Sequence, residues 1–217
     1  MTIQTMLSLL GEGFLTTLAI FFLTLIGSLP LGLVVYFGKK SRLAPVRWLV
    51  NAYISVMRGT PLMLQLMVVY FGPNLLFGIS LPSNWRFIAV ILGFVINYAA
   101  YFAEIYRGGI ESVPKGQYEA AQVLGMTARE TFSAVILMQV VKRILAPISN
   151  EVITLVKDTS LARVIAVAEI FFVNEMSYLT KGLVWPLFYI GAFFLVFVGG
   201  LTLLFRYLEN KLSYYKI

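Results

Sequence analysis

Residues 107–132 read RGGIESVPKGQYEAAQVLGMTARETF, the one long polar stretch in a chain otherwise built from apolar runs. Before it lies an uncharged run, Phe87 to Ala103, and after it a mostly apolar one, Val135 to Val156, with Lys142, Arg143 and Glu151 embedded. A spanning helix needs about 20 mostly apolar residues, so 107–132 is a loop carried between two membrane helices. Phe14 to Phe37 and Leu183 to Phe205 pass the same test, and the uncharged stretch between Arg58 and Arg86 has room for another span. Of the 217 residues, 59% are hydrophobic and 12% charged, against roughly 25% charged in a soluble domain. A soluble core of this size cannot bury that much apolar surface. The fold class is therefore all-α integral membrane, with about five transmembrane helices in a single domain over residues 1–217.

Cation placement sets the orientation. Thirteen of the seventeen basic residues fall on one side: Lys39, Lys40, Arg42, Arg47, Arg58, Arg107, Lys115, Arg129, Lys142, Arg143, Arg206, Lys211 and Lys216. Arg86, Lys157, Arg163 and Lys181 fall on the other. The basic side is expected to be cytoplasmic, which puts the N-terminus outside, the C-terminus inside and the number of spans at five. Residues 1–13 carry no Lys or Arg, so they are expected to open a retained helix and not a cleaved signal. The net charge of +7 is explained by topology and anionic headgroups, without nucleic acid.

The same census removes most catalysis. There is no His, no Cys and one Asp, Asp158. Histidine zinc sites, aspartate dyads and Ser–His pairs are all excluded, and no phosphate-cradling Gly-x-x-x-x-Gly-Lys loop occurs. The chain reads as a conduit.

Local signals place the remaining elements. Leu43 to Met57, with Trp48 and Tyr53, is expected along the cytoplasmic face. Thr60-Pro61 reads as the start of the second span, with Thr60 capping and Pro61 in the first turn. Gly72-Pro73 is positioned to kink that span, and Gly78 to Trp85 is an outer loop. Gly108-Gly109 is expected to release the chain from the third span. Gln117 to Leu124 then forms a short helix that Gly125 stops, because glycine takes the left-handed conformation without steric cost. Thr127-Ala128-Arg129-Glu130 is a capping box. The loop thus reads as two short helices about a tight turn, a rigid knob suited to receive force from another protein.

At this point the chain resembles the permease subunits of bacterial ABC importers for polar amino acids, the histidine/glutamine type. The resemblance rests on Arg58-Gly59-Thr60-Pro61-Leu62 with Gln65-Leu66; on Asn97-Tyr98-Ala99-Ala100-Tyr101 with Ala103-Glu104 and Arg107-Gly108; and on Pro114-Lys115-Gly116-Gln117 before Glu119-Ala120-Ala121 and Gly125. Asn150-Glu151, Lys157-Asp158-Thr159-Ser160-Leu161 and Leu208-Glu209-Asn210-Lys211-Leu212-Ser213 extend it over nearly the whole chain. Met138 departs from the pattern, standing where the motif usually has Pro, which would loosen the kink at the base of the fourth span.

The resemblance implies a type I importer permease fold in a bacterial cytoplasmic membrane. It further implies a second permease subunit (identical or a close relative), two ATPase subunits that bind the ATP and Mg, and an extracytoplasmic amino-acid-binding protein. This chain itself would hold no cofactor and catalyse nothing. Glu119, Ala120, Ala121, Gly125, Thr127 and Glu130 would couple it to the ATPases.

Polar groups inside spans should face the protein interior or a wet cavity, which makes Gln65, Asn97, Glu151, Lys157 and Asp158 the candidates for the substrate pathway. Glu151 with Lys157 could hold the two charges of an amino acid. Equally, Glu151 could pair with a partner's cation, and Lys157-Asp158 could shape a turn. Glu104 and Arg107, three apart, are expected to be a structural pair. A stand-alone transporter or channel is the rival reading; it leaves the polar loop without a purpose and would be expected to show internal repeats.

Overall fold

A computed structural model describes residues 3–172, 182 and 184–212. Leu183, Lys181, Ser213 and Lys216, on which parts of the sequence reading fall, lie outside the described residues. Among those described the chain is helical, with α1 Ile3–Lys39, α2 Ala44–Gly59, α3 Leu62–Phe77, α4 Trp85–Glu111 and α5 Lys115–Val123. Then come α6 Ala128–Glu130, a π turn Thr131–Ile136, α7 Leu137–Asp158, a 3-10 turn Thr159–Ile165 and α8 Trp185–Leu212. Four helical stretches are long and apolar enough to cross a bilayer, and the bent pair α2–α3 supplies a fifth span.

The frame is the parallel pair α1 and α4, whose buried residues make up most of the core. The two backbones approach closely at Gly32, where an added Cβ would lie 2.8 Å from Phe102 Cβ and 3.2 Å from the Ala99 carbonyl oxygen. Lipid tails are as apolar as leucine, so association inside a membrane relies on this kind of close contact between helices. Salt bridges fasten the ends of the two helices. Lys39 pairs with Glu104, Lys40 lies 2.5 Å from Glu111, and Arg107 bridges Glu104 at 2.8 Å and Glu111 at 2.6 Å. The expected Glu104–Arg107 pair is thus the centre of a six-residue network that Arg58 joins at 3.8 Å from Glu104. The Glu111 carboxylate holds the Lys40 ammonium pKa above its ordinary value through their hydrogen bond.

Four local expectations are corrected. Gly108-Gly109 does not end the third span; α4 continues to Glu111. Gly109 serves packing instead, since a Cβ there would meet Ile144 of α7 at 2.1 Å. Thr60 does not cap the second span. Its hydroxyl donates to the Val56 carbonyl at 2.8 Å, closing α2, while Pro61 occupies the N-cap of α3. Leu43 to Met57 does not simply lie flat beyond the bundle. α2 meets α3 at 112°, and its Tyr53 hydroxyl donates to the Ile96 carbonyl, midway along α4. Gly72-Pro73 leaves α3 unbroken, and the helix stops at Gly78, in the left-handed conformation with φ 65°.

Past α7 the chain turns back on α1. Ala166 is left-handed, with φ 56°, and the buried Glu169 carboxylate accepts the Phe171 and Phe172 N–H groups at 2.7 Å each. Ile170 N–H donates to the Thr17 hydroxyl at 3.1 Å.

Gly32→Ala should lower the thermal unfolding midpoint of the detergent-solubilised protein by an amount matching about 1–3 kcal/mol of overpacking. Gly11→Ala, where nothing lies within 4 Å, should leave it unchanged or raise it. Equal midpoints for the two variants would mean that the α1–α4 contact is not tight.

Candidate functional site

The knob begins with α5, where Ala121 is buried while Glu119 and Ala120 are exposed. The helix ends in a Schellman motif: Met126 N–H reaches the Ala121 carbonyl at 3.1 Å and Gly125 N–H the Gln122 carbonyl at 3.0 Å, with Gly125 at φ 74°. Only glycine takes that conformation without steric cost. The capping box forms as read, with Thr127 N–H donating to Glu130 Oε2 at 2.8 Å and Glu130 N–H to the Thr127 hydroxyl at 3.3 Å. The Thr127 N–H, and after it the Thr127 hydroxyl, which donates to the same Oε2 at 2.7 Å, hold the exposed Glu130 carboxyl below the usual carboxylate range. The cap is therefore weakened as pH falls through that lowered pKa.

The helix that the box opens is not a separate short one. From Ala128 the chain runs helically through the π turn into α7 and on to Asp158. The second half of the knob is the end of the membrane helix itself. The two halves are joined by a small core of Val113, Ile136 and Val140, and Gln139 Nε2 lies 3.4 Å from Gln117 Oε1. Sequence reasoning missed Val123 and Leu124, 88% and 79% exposed at the tip. Adjacent large apolar residues that nothing covers mark a contact surface. Their neighbour Gly125 was the available signal.

The spans hold two polar groupings. The first is at the α2–α3 corner. Asn97 Nδ2 donates to Gln65 Oε1 at 2.9 Å and to the Met57 carbonyl at 3.1 Å. Gln65 Nε2 donates to the carbonyls of Met57 at 3.1 Å and Thr60 at 3.2 Å, and to the Thr60 hydroxyl at 2.8 Å. Both side chains are buried and occupied with backbone that the broken helix leaves unpaired.

The second grouping is on α7. Glu151 and Asp158, seven residues apart, share a face about 10 Å long. Tyr98 donates to Asp158 Oδ2 at 2.7 Å, a contact the sequence did not disclose, although a tyrosine only 2% exposed needs a polar partner. Arg58 is within electrostatic reach of Glu151. Its guanidinium lies 5.4 Å from the Tyr101 ring centre and 3.8 Å from Glu104. Asn150 and Thr154, on the same side of α7, are exposed. Lys157 is exposed too, but it lines a cleft of 360 Å³ against α8 with Ser160, Phe171 and Phe194. The structure therefore joins Tyr98 to Asp158, with Glu151 on the same face about two turns away, and sets the Gln65–Asn97 pair apart, while Lys157, next to Asp158, lines the α8 cleft.

Among the described residues no cluster of His, Cys, Asp or Glu could hold a metal. The family described as binding-protein-dependent transport system inner membrane component matches residues 28–214. The arginine transport system permease protein ArtQ of Bacillus subtilis (strain 168) is 37% identical over 203 residues, covering 93% of this chain and 91% of that protein. From the same organism, the L-cystine transport system permease protein TcyB is 39% identical, over 77% of this chain and 70% of its own. The probable glutamine permease protein GlnM, also from that organism, is 33% identical, over 95% and 94% respectively. A crystal structure of an amino acid ABC transporter with histidines superposes with TM-score 0.85 at 32% identity, covering 97% of this chain and all of that one. The MetNI methionine ABC transporter, inward facing, shares the fold, with TM-score 0.73 at 18% identity over 98% of this chain and 99% of that one.

Asn97→Leu should lower the unfolding midpoint by an amount matching about 1–3 kcal/mol, the cost of unpaired buried acceptors. Combined with Gln65→Leu, the losses should be markedly non-additive. Unchanged stability with a raised KM for uptake would instead place Asn97 in the pathway.

Proposed function

This chain belongs to the family of binding-protein-dependent transport system inner membrane components and is a multi-pass permease subunit of an amino acid ABC importer; from that premise we propose that α7 is at once its drive shaft and its substrate wall. The carrying observation is the unbroken helical run from the capped Thr127 to Asp158. A push on the knob moves the carboxylates of Glu151 and Asp158 with it. Asn150, Glu151, Thr154 and Asp158 make a polar face within a membrane helix, which lipid would not tolerate, so this face borders a wet path or a second subunit. The rival, a transporter without partners, leaves the exposed Val123–Leu124 tip unexplained.

The family works with ATPase and binding-protein partners. In finer detail, two ATPase subunits holding ATP and Mg dock on α5 and its tip, with Glu119, Ala120, Val123 and Leu124 as the contact and Gly125 shaping the turn. This chain holds no cofactor and hydrolyses nothing. A second permease, identical or a close relative, completes the path, and a binding protein delivers the amino acid from the opposite face. The loop side is cytoplasmic, with the N-terminus outside and the C-terminus inside.

Within the path, Glu151 and Asp158 hold the ammonium end of a polar amino acid, and Arg58 answers its carboxylate. Tyr98 fixes the Asp158 carboxylate in place through its hydroxyl. Gln65 and Asn97 act on substrate indirectly, by holding the corner that carries Arg58. Lys157 borders the path's outer side. Alternation between outward-open and inward-open states then follows from ATPase closure acting through the loop.

Reconstituted in vesicles with all partners, Glu151→Gln or Asp158→Asn should raise the half-saturating substrate concentration about 10- to 100-fold, as loss of a charge-assisted hydrogen bond predicts. ATPase docking should be retained. Leu124→Asp should abolish ATP-driven uptake by releasing the ATPase, seen as its loss from the purified complex. Full uptake by the Leu124→Asp variant, or an unchanged half-saturation in both carboxylate variants, would refute the corresponding role.

A further inference from the structure

At its loop-side end the seam between α4 and α7 opens into a groove of 660 Å³, lined by Ile105, Gly108 and Gly109 from α4 and by Lys142, Arg143 and Pro147 from α7. The proposed function leaves this groove unused. On an α-helix, Arg143, Pro147, Glu151, Thr154 and Asp158 fall within an arc of about 80°, and Arg143 lies about 22 Å along the axis from Asp158. The groove thus continues the face that carries the two carboxylates. Along that face the charge reverses, negative at Asp158 and Glu151 and positive at Arg143.

We propose that this groove is the exit chamber of the pathway and that Arg143 receives the departing amino acid's carboxylate there, a role that rests on Glu151 and Asp158 holding its ammonium end. Three observations carry it. At Gly108, where nothing lies within 4 Å of an added Cβ, the α4 wall carries no side chain, so a small solute has room. The Arg143 guanidinium donates one N–H to the carbonyl of Ser112, the residue ending α4. That bond holds it at the mouth, and a guanidinium has five N–H donors, so others are left for an anion. Ala146, one turn from Arg143, is exposed on the same side as Asn150 and Thr154, so the rim of the groove continues the exposed stripe that carries those two polar groups. Arg143 attracts the carboxylate and repels the ammonium, so the charge pair that held the solute inside is replaced at the mouth by one that turns it over and lets it go.

The chain has no cysteine, so an introduced one reports alone when the partner subunits are cysteine-free. In the assembled importer without nucleotide, Ala146→Cys and Thr154→Cys are labelled with anionic sulfonatoethyl and cationic trimethylammonium-ethyl methanethiosulfonates. Each rate is normalised to that of a free thiol. Ala146→Cys should prefer the anionic reagent and Thr154→Cys the cationic one. Adding Arg143→Gln should cut the anionic preference at 146 about tenfold and leave the 154 preference in place. In uptake, Arg143→Gln should lower the maximal rate several-fold at unchanged half-saturation, and Arg143→Lys should restore most of it, which a purely geometric Ser112 anchor would not predict. Ala146→Cys inert to both reagents, or indifferent to Arg143→Gln, overturns the exit chamber. A missing cationic preference at 154 alone would instead refute the carboxylate site.

Discussion

A helix broken inside a bilayer exposes carbonyls that no water can reach, and each unsatisfied one costs several kcal/mol. The α2–α3 corner is such a break. Met57 and Thr60 present their carbonyls beside Asn97, about 18 Å along α4 from its start and about 21 Å from its end. Gln65 and Asn97 answer those carbonyls and one another. Much else depends on that arrangement. Because the corner is satisfied from within, α2 can turn at 112° to α3 and deliver Arg58 next to Tyr101 and Glu104. Arg58, a cation near Glu151, is therefore placed by two neutral amides that need never touch substrate.

The second dependence is mechanical. Force applied at Leu124 passes through the Schellman turn at Gly125 and the capping box into the first turn of the helix that ends at Asp158. The π turn at Thr131–Ile136 and Pro147, inside α7, are the irregularities on the way. The first lies beside Val113 and Val140, where the knob packs against the bundle. A π turn widens the helix by one residue and is a common feature of working helices. It sets the rotation of α7 relative to the knob, and so the direction in which Glu151 faces. Met138, two residues beyond, leaves the helix regular from the turn as far as Pro147.

The membrane spans were legible because hydrocarbon thickness imposes a length that composition reveals directly. The knob was legible because its signals are local: Gly125, Thr127 and Glu130 act over a few residues of backbone. What stayed hidden depends on distance in sequence. Tyr98 reaches Asp158 across 60 residues and Asn97 reaches Met57 across 40, and no periodicity announces either contact. Gly108-Gly109 was misread for a related reason. Glycine signals both a chain exit and a close helix approach, and only the position of Ile144 on another helix shows which applies. Lys157 was paired with Glu151 by proximity in sequence, whereas six residues of helix turn it through 600°, onto a different side.

The basic residues illustrate how one count conceals several tasks. Thirteen cations on one side fit a topology rule, yet they do not form a single class in the folded chain. Lys39, Lys40 and Arg107 are bound to Glu104 and Glu111, so their charge is neutralised where α1 meets α4. Arg58 is only loosely held by Glu104 and leans on an aromatic face, which leaves it responsive to Glu151. Arg143 is held by a carbonyl and by no carboxylate. The field along α7 is therefore shaped by cations such as Arg58 and Arg143, whose charge the Glu104–Glu111 cluster does not cancel and which lie beside the polar face. Charge that orients the chain in the membrane and charge that acts on a solute are separated by which acids the helices bring within reach.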